Sequence, residues 1–517
     1  MARDDSIVVL TTREREWWWS MQEVVPALEG VWEHIGQSTN ETVRMLCVPL
    51  AAEVEESLRA AAPQPNRIVI TSVTAETERI ALLLRVQLKV DAPMTIYLCG
   101  DSTEGFDSFG ALVEVLTERD AMIVSSEADA AATRCCFPKA QVFALPFPLI
   151  DRFKLNSQPS DRLLTSGRLA YVGRVSEQKN LHTLLLALWV LRTMAGRNLD
   201  LTLDVYGGED NLGSPNMGLT FPGYEAFLRD LVERLGLTDV VRWHGFRQRD
   251  WLFENVHLRP HILVSPTLHS DENFGTSVLA SLVNGHQVIA TAWGGHVGFQ
   301  DWFPHQLTTV PVHRSTMGPV ADPVEFARAI LYAVDRLPGF LVPEADLERA
   351  RAAFTQSASA ERILHLQYGP SGRTALLNMS SAMRQIRQRR MALDNRRKIY
   401  EGYHDPLVQP FFEAYGMKEP IVFDERCRYF LPPWITLTAD ALQIDDPHRG
   451  RHMLELRGPG ATSRDVALCP TLESCHLPGT LIEDLVLKGY AFATPSQVVS
   501  GHAPAVATGT GLLATAD

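Results

Sequence analysis

Apolar and polar residues follow a repeating strand–helix order along the first two thirds of the chain. Short apolar runs of strand length are each followed by a segment whose apolar residues recur every three or four positions. The strand runs include SIVVLTT, NRIVITSV, MTIYLCG, AMIVSS, LAYVG, LTLDVYGG and HILVS. Strands that alternate with helices indicate parallel sheets covered by helices on both faces. We therefore expect an α/β protein with doubly wound parallel sheets.

One strand–helix–strand unit in the middle of the chain is suited to binding an anion. The strand HILVS (261–265) precedes a helical segment, TSVLASLVNG (276–285), and the strand QVIATA (287–292) follows. The N–H groups at the start of such a helix point into the crevice above the strands, where a phosphate is favoured. Gly275 allows close approach to the backbone, and Gly294-Gly295 offers a second approach without side chains.

A second loop adds positive charge. The strand LAYVG (169–173) leads into a loop that contains Arg174 and Lys179, and the helix HTLLLALWVL follows. A diphosphate leaving group gains negative charge as its bond breaks, so fixed cations bind the transition state more tightly than the ground state. Surface cations are common, and this loop becomes specific only in combination with the crevice at 271–275.

The stretch HSDENFGTSVLASLVNGHQVIATAWGG resembles the donor-sugar motif of retaining GT-B glycosyltransferases of the family 4 type. The matching positions are Glu272, Phe274, Gly275, Gly285, Val288, Ile289, Gly294 and Gly295. Two positions depart from the motif: Ala280 stands where the family has its second glutamate, and Gln287 where it has a proline. Taken alone, an acidic pair such as Asp271-Glu272 before a helix is also favourable capping chemistry.

The resemblance implies a GT-B fold, in which two Rossmann-like domains face each other across a cleft, and it implies a donor site. The donor substrate would be a nucleotide-diphosphate sugar, with no other cofactor and no metal, because the cations and the helix end replace it. The implied residues are Glu272, Arg174 and Lys179 in catalysis, Gly173, Asn273, Phe274, Gly275 and Thr276 at the donor and its phosphates, and Gly207, Gly245 and Phe246 at the nucleotide.

Ala280 qualifies the expected function. In the family, the second glutamate holds the ribose hydroxyls of the nucleotide, and a methyl group offers no acceptor for them. A lost charged hydrogen bond costs about 1.5–3 kcal/mol, so nucleotide affinity or identity is expected to differ. A non-catalytic or weakly catalytic scaffold is the alternative that Ala280 suggests, and phosphorolysis or epimerisation on the same two-sheet frame stays open.

The pattern and the resemblance divide the chain into four parts. Residues 1–155 are expected to form the acceptor domain and residues 165–345 the donor domain, with a polar, turn-rich linker between them. Helices in 346–368 are expected to return to the first domain. Residues 370–517 are expected to form a basic helix and a small mixed α/β extension that ends in a disordered tail.

Two residues of the first domain are candidates for acceptor binding. Asp101 could face the acceptor, although an Asp-Ser pair in a loop caps a turn more often. Three adjacent tryptophans (17–19) cannot share one helix face. Trp18 is therefore a candidate for stacking on a sugar ring, although packing in a core is the commoner use of tryptophan. The expected acceptor is a hydroxyl of a glycan, a lipid-linked molecule or a natural product.

The C-terminal extension carries a basic segment and, near its end, the cysteines Cys469 and Cys475. Residues 373–398 hold eight Lys or Arg against one acid, with apolar residues at near-helical spacing. Such a segment can lie on anionic lipid or bind an acidic partner, and it can equally pack on its own domain or on a second subunit. Cys469 and Cys475, with His476, are too few and too irregularly spaced for a zinc site, so we expect two buried thiols.

Composition limits the remaining possibilities. A chain of 517 residues is too long for a single hydrophobic core. A net charge of −13 with a pI near 5.7 argues against nucleic acid as a partner. No apolar run approaches the roughly 18 residues of a membrane span, and the N-terminus is typical of a strand rather than a signal peptide. Seven cysteines, an odd number, fit a reducing cytoplasm. We therefore expect a cytoplasmic glycosyltransferase that could associate with a membrane through 373–398.

Overall fold

Two parallel sheets and a C-terminal set of smaller sheets build the molecule. The computed structural model describes residues 4–12, 20–48, 65–100, 112, 115–136, 141–155, 167–194, 200–209, 223–268, 272–367, 409–438, 440–448, 450–456 and 463–495. The predictions for Trp18, Asp101, the basic segment 373–398 and the C-terminal tail concern residues outside these ranges. Of the described helices, none combines the length and the apolar character that crossing a bilayer requires.

The first sheet has six parallel strands in the order β2-β1-β3-β4-β5-β6. The strands are β1 (Asp4–Thr12), β2 (Thr42–Val48), β3 (Pro65–Ile70), β4 (Met94–Tyr97), β5 (Ala121–Val124) and β6 (Gln141–Ala144). Three helices accompany them: α1 (Met21–Thr39), α2 (Ala75–Leu82) and α3 (Glu127–Cys136). All residues of β4 and β5 are buried, as expected for parallel strands covered on both faces.

The second sheet also has six parallel strands, in the order β12-β11-β10-β7-β8-β9. The strands are β7 (Gly167–Val172), β8 (Leu201–Tyr206), β9 (Val241–Gly245), β10 (Ile262–Ser265), β11 (Gln287–Thr291) and β12 (Leu307–Val310). The helices are α4 (Leu181–Met194), α5 (Tyr224–Arg234), α6 (Arg249–Leu252), α7 (Thr276–Leu282), α8 (Gly295–Gly298) and α9 (Pro323–Asp335). The strand order reverses between β7 and β10, which are direct neighbours. Ligands of doubly wound sheets bind at the carboxyl ends of the strands at such a switch point.

The predicted return to the first domain takes place in two helices, α10 (Glu344–Ala352) and α11 (Gln356–Leu364). Thr355 separates them because its side chain caps α11 by accepting the N–H of Ala358 at 3.2 Å. The helix α11 packs against α1 of the first domain. A backbone hydrogen bond also connects the first domain to these helices: the N–H of Ile150 donates to the Phe354 carbonyl at 3.1 Å.

In its described residues, the C-terminal extension contributes to three small sheets and contains two helices. One sheet joins β13 (Val312–Ser315) and β14 (Gly318–Ala321) of the donor domain to β15 (Met417–Pro420), which follows α12 (Gln409–Tyr415). The others contain β16 (Tyr429–Leu431), β17 (Ile435–Leu437), β18 (Ala441–Asp446), β19 (Gly450–Glu455), β20 (Ser463–Leu468), β21 (Glu473–Pro478) and β22 (Phe492–Ala493), with the helix α13 (Gly479–Leu487).

These elements share a core with the donor domain. Phe430 packs on Trp189 of α4 with ring centroids 5.5 Å apart, and both belong to one buried apolar cluster that also contains Leu442 and Val466. The extension is therefore not a separate globular unit.

Cys469 and Cys475 of the extension differ in burial. Cys469 is buried, as expected, and burial raises the pKa of its thiol. Cys475 is only partly buried, which corrects the prediction of two buried thiols, because it lies on the outer strand β21. The neighbouring His476 points outward and pairs with Asp465 at 2.7 Å. Within the described ranges, no group of three His, Cys, Asp or Glu side chains is arranged to hold a metal ion.

A titratable cap starts α9. The Asp322 carboxylate accepts the N–H of Val324 at 2.7 Å. Burial and the neighbouring Glu325 raise the pKa of Asp322 to about 6, although His313 and Arg328 oppose that rise. Because the folded-state pKa exceeds the unfolded-state value, ionisation of this carboxyl lowers stability as the pH rises through about 6.

We expect Asp322→Asn to raise the melting temperature at pH 7 to 8 and to leave it nearly unchanged at pH 4. Asparagine keeps the helix cap but cannot ionise. The difference between the two pKa values corresponds to roughly 1–3 kcal/mol of stability. Thermal unfolding at several pH values measures the effect. Asp301→Asn, at an exposed aspartate, is the matched control, and an equal change at both pH values in Asp322→Asn would contradict the assignment.

Candidate active site

The loops that follow β7 and β10 are tied together at the switch point. After β7 the chain makes a short 3-10 turn, Glu177–Lys179, and then Asn180 adopts a left-handed conformation with φ of 57°. The Asn180 side chain donates to the Pro266 carbonyl at 3.0 Å, and the N–H of Leu268 donates to the Gln178 carbonyl at 2.9 Å. These bonds fix the position of Lys179 relative to the loop that leads to α7.

Lys179 and Glu272 form an ion pair in the crevice between these loops. The Lys179 ammonium donates to Oε2 of Glu272, and the side chains are 15% and 13% exposed. Burial alone would raise the pKa of Glu272, but the charge of Lys179 and the nearby His296 outweigh it and lower the pKa to about 2. Glu272 is therefore ionised throughout the neutral range, and the pair is a fixed charge pair.

The Gly294-Gly295 turn packs against the backbone of this loop. The N–H of Gly295 donates to the Glu272 carbonyl at 2.8 Å. A Cβ on Gly294 would lie 2.2 Å from the Glu272 carbonyl oxygen, and one on Gly295 would lie 2.0 Å from that of Asn273. We expected these glycines to leave room for an anion. That prediction is wrong, because the protein's own backbone occupies the space and the N–H groups of both glycines are already bonded.

The helix α7, which follows Glu272, is short and is held from its buried side. Gly275, with φ of 80°, starts it, and the N–H of His286 donates to the Ser281 carbonyl at 3.1 Å just beyond its end. The Ser281 hydroxyl lies 3.1 Å from Nδ1 of His257 and 3.0 Å from Nε2 of His261. Burial lowers the pKa of His257 to about 3, so at neutral pH its ring is uncharged. This buried polar cluster anchors a helix that has only seven residues.

Three predicted donor-site residues next to Glu272 have different environments. The Phe274 side chain is buried between Phe147 and Phe299, with ring centroids 5.1 and 5.2 Å away, so it serves the interdomain core. The Asn273 side-chain nitrogen is buried and has no hydrogen-bond partner. Thr276 is the first residue of α7 and is partly exposed.

The first domain reaches the same backbone. The Ser125 hydroxyl, at the end of β5, donates to the Asn273 carbonyl. The adjacent Ser126 hydroxyl donates to Asp129 of α3 at 2.9 Å. The turn between β5 and α3 therefore closes the cleft over the loop that carries Glu272.

The predicted nucleotide residues lie together at the ends of β7, β8 and β9. A Cβ on Gly207 would lie 1.8 Å from the Gly173 carbonyl oxygen, so only glycine fits there. The N–H of Gly207 donates to the Gly245 carbonyl at 3.0 Å. Beside them Phe246 is 60% exposed, which makes its ring available to a ligand. Arg174 follows Gly173 on the same edge of the sheet, and its carbonyl accepts the Tyr171 hydroxyl at 2.6 Å.

An aromatic cluster of Tyr206, His244 and Trp251 lies next to these glycines. The Tyr206 ring stacks on His244 with centroids 4.4 Å apart and an interplanar angle of 14°. The partly exposed Trp251 lies 5.8 Å from Tyr206, and the guanidinium of Arg247 lies 5.3 Å from the Trp251 ring centroid. Flat, partly exposed rings of this kind can stack on a nucleotide base.

Ala280 is 2% exposed and lies in a buried apolar cluster with Val172 and Leu263. Its carbonyl accepts the Asn284 side chain at 2.8 Å. The methyl group is therefore part of the packed underside of the crevice.

His296 was not predicted as a site residue. It is fully buried, and its Nε2 lies 4.0 Å from Oε1 of Glu272. Among the described residues, neither ring nitrogen has a hydrogen-bond partner of good geometry, although the Thr291 carbonyl is close enough to favour a charged ring. Burial and the charge of Lys179 lower the pKa of His296 despite the opposing Glu272. Its position directly after Gly294-Gly295 was the only signal for it in the sequence.

The extension also contacts the site, at two points that sequence reasoning missed. The Tyr415 carbonyl accepts the N–H of Gly294 at 2.7 Å. On the other side, Nε2 of the buried His448 lies 2.6 Å from the Glu177 carbonyl, in the turn that carries Lys179. No motif marks Tyr415 or His448, because a backbone carbonyl and a lone histidine leave no pattern in a sequence.

Comparison with known proteins agrees with this geometry. Residues 154–299 match the family described as Glycosyl transferases group 1, and no curated protein matches the chain by sequence. Among solved structures, a glycosyltransferase from Rickettsia africae ESF-5 is similar, with 13% identity and a TM-score of 0.51 over 69% of this chain and 96% of that chain. The apo structure of OtsA is also similar, with 11% identity and a TM-score of 0.50 over 70% of this chain and 98% of that chain.

At these identities the likeness shows the fold, and together with the two six-stranded sheets it confirms the predicted GT-B class. The matched region contains the loops of both Lys179 and Glu272. Residues 154–299 therefore resemble the group 1 glycosyl transferases, and the chain has a GT-B fold.

Proposed function

We propose that this protein transfers a sugar from a nucleotide-diphosphate sugar to a hydroxyl group of an acceptor, with retention at the anomeric carbon and without a metal ion. The observation that carries the proposal is the ion pair of Lys179 with Glu272 at the switch point of the second sheet. Both residues lie in the region that matches the group 1 glycosyl transferases. A cation and a carboxylate side by side are what a sugar diphosphate needs, because one end of the donor is anionic and the other carries hydroxyl groups.

Lys179 would act on the leaving group. In the structure its charge is neutralised by Glu272, so a diphosphate entering the crevice competes with that carboxylate for the ammonium. As the glycosidic bond breaks, the diphosphate gains negative charge and its attraction to Lys179 grows. The Glu272 carboxylate, released from Lys179, can then accept hydrogen bonds from hydroxyls of the transferred sugar.

The nucleotide would lie over Gly173, Gly207 and Gly245, at the ends of β7, β8 and β9. The exposed Phe246 and Trp251 rings and the partly exposed His244 ring offer flat surfaces for the base. Ala280 provides no acceptor for the ribose hydroxyls, so recognition would rest on the diphosphate and the base.

The acceptor would enter from the side of the first domain. The contact of Ser125 with the Asn273 carbonyl supports this arrangement, because it brings the first sheet against the donor loop. Closure of the two domains would exclude water from the reacting bond. The five cysteines whose side chains the structure describes are free thiols. A cytoplasmic location is part of the proposal, and the segment 373–398 stays a candidate contact with a membrane or a second subunit.

We expect one class of nucleotide sugar to raise the melting temperature. A ligand that binds only the folded state at a hundred times its dissociation constant stabilises by about 2.7 kcal/mol. Thermal shift with UDP-, GDP- and ADP-sugars at millimolar concentration, each compared with its free sugar, identifies the nucleotide. If no nucleotide sugar changed the melting temperature, the scaffold alternative suggested by Ala280 would be favoured instead.

We expect Lys179→Met and Glu272→Gln each to lower the transfer rate at least 100-fold with the donor identified in this way. The loss of one oriented electrostatic contact to a transition state typically has an effect of about 10²–10³-fold. Lys179→Met should also weaken binding of the free nucleoside diphosphate, whereas Glu272→Gln should weaken binding of the intact donor more. Initial rates and calorimetric titration measure these effects.

The matched control is Lys154→Met, which removes a lysine paired with Glu254 at 2.7 Å on the surface, where the side chains are 46% and 59% exposed. Surface pairs contribute about 0–1 kcal/mol, so its activity should equal that of the wild type. Normal turnover in either site variant would show that the pair is structural only.

We expect Ala280→Glu to destabilise the empty protein and to regain stability when nucleotide binds. A buried carboxylate without a partner is costly, and ribose hydroxyls would supply partners if the crevice keeps the family's geometry. The melting temperature with nucleoside diphosphate is compared with that in inorganic pyrophosphate, which lacks a ribose. Equal recovery with both ligands would show that the ribose does not reach position 280.

A further inference from the structure

His296 is a buried polar group without a hydrogen bond beside the most important carboxylate of the proposed site. It is 0% exposed, and within the part of the chain that the structure describes neither Nδ1 nor Nε2 has a hydrogen-bond partner of good geometry, the Thr291 carbonyl being a nearby backbone acceptor. Buried polar groups are almost always bonded in folded proteins, and one that is left unpaired costs about 1–3 kcal/mol. Such a group needs a partner, and a side chain that moves within reach can supply one.

Glu272 is the group within reach. Its Oε2 is held by Lys179, whereas its Oε1 lies 4.0 Å from Nε2 of His296, which is about 1 Å too far for a hydrogen bond. Gly275 makes room for the imidazole, because a Cβ at this position would lie 2.9 Å from Nε2. The backbone keeps the two residues in register, since the N–H of Gly295 donates to the Glu272 carbonyl.

We propose that His296 is a positioning residue that takes over Glu272 when Lys179 leaves it. This proposal rests on the proposed function, in which the diphosphate of the donor draws the Lys179 ammonium away. Nε2–H of His296 would then donate to Oε1 of Glu272 and hold the carboxylate in place for the hydroxyls of the sugar. No proton is transferred in this exchange, because the carboxylate is ionised and the imidazole only donates a hydrogen bond.

The charges around His296 favour this exchange. Lys179 and Glu272 are the charged groups that act on it, with opposite effects on its pKa, and burial keeps the ring neutral while Lys179 is present. Asp129 lies on the helix α3, which packs against α8. Its carboxylate accepts hydrogen bonds from the hydroxyls of Ser125 and Ser126. Removal of the Lys179 charge therefore leaves Glu272 unopposed by another charge at the ring and strengthens a bond from the imidazole to the carboxylate.

A variant tests the exchange without any donor. In the full chain, Lys179→Met removes the ammonium and imitates its departure. With ¹⁵N-labelled histidine, the His296 ring signals are assigned by their loss in His296→Gln. In Lys179→Met, the titration of His296 should move up by about 1–3 pH units, and its Nε2 signal should change to that of a bonded N–H. The double variant Lys179→Met/Glu272→Gln should lose both changes.

A ring that stays neutral and unbonded in Lys179→Met would overturn the proposal. Melting temperatures give a second measurement in case the signals are broad. The changes in melting temperature caused by Glu272→Gln and His296→Leu should add in the wild-type background, where Lys179 holds the carboxylate. In the Lys179→Met background they should depart from additivity by roughly 2–4 °C, and additivity in both backgrounds would also overturn the proposal.

Kinetics separate this inference from the proposed function. His296→Leu should lower kcat for sugar transfer about 10- to 100-fold, which is the effect of one charge-assisted hydrogen bond, with little change in the donor KM. His296→Gln, whose amide can donate to Glu272, should recover most of the rate. An unchanged kcat in His296→Leu would overturn the proposal. If no nucleotide sugar binds, the proposed function fails, and the donor-free test with Lys179→Met still decides the role of His296.

Discussion

The ion pair of Lys179 with Glu272 is the interaction on which the arrangement of the site depends. The two residues are far apart in the chain but adjacent in space, because β7 and β10 are neighbours where the strand order reverses. Both side chains are largely shielded from water, so neither charge is stable there without the other. The pair thus holds the empty site in a defined form, and any ligand must offer one of the two charges a better partner.

Close backbone packing is the second constraint, and it explains the glycines better than ligand access does. Gly294 and Gly295 lie against the carbonyls of Glu272 and Asn273 at distances that no side chain permits. The same holds for Gly207 against Gly173. The loop that carries Glu272 is therefore fixed from below by glycine contacts and from above by Ser125. A rigid carboxylate of this kind needs little reorganisation when the substrate arrives.

The sequence predicted the strands, the two sheets and the meeting of Lys179 with Glu272, because buried parallel strands and the switch point leave regular patterns in a chain. It did not predict the role of Gly294-Gly295, since a glycine that admits a phosphate and one that admits a neighbouring backbone look the same in sequence. Nor did it identify His296, whose significance lies in a hydrogen bond that it does not make. Phe274 matched a motif, yet its ring belongs to the interdomain core.

The extension shows most clearly what local patterns cannot convey. Its strands could be recognised, but its attachment to the site rests on single long-range contacts, namely the Tyr415 carbonyl on Gly294 and the His448 ring on the Glu177 carbonyl. The first bond holds the glycine turn that packs against the Glu272 loop, and the second holds the turn that carries Lys179. Since the extension also shares the apolar core around Trp189 and Phe430, it cannot separate from the donor domain without exposing that core. The position of Lys179 relative to Glu272 is therefore determined by the donor domain and the extension together.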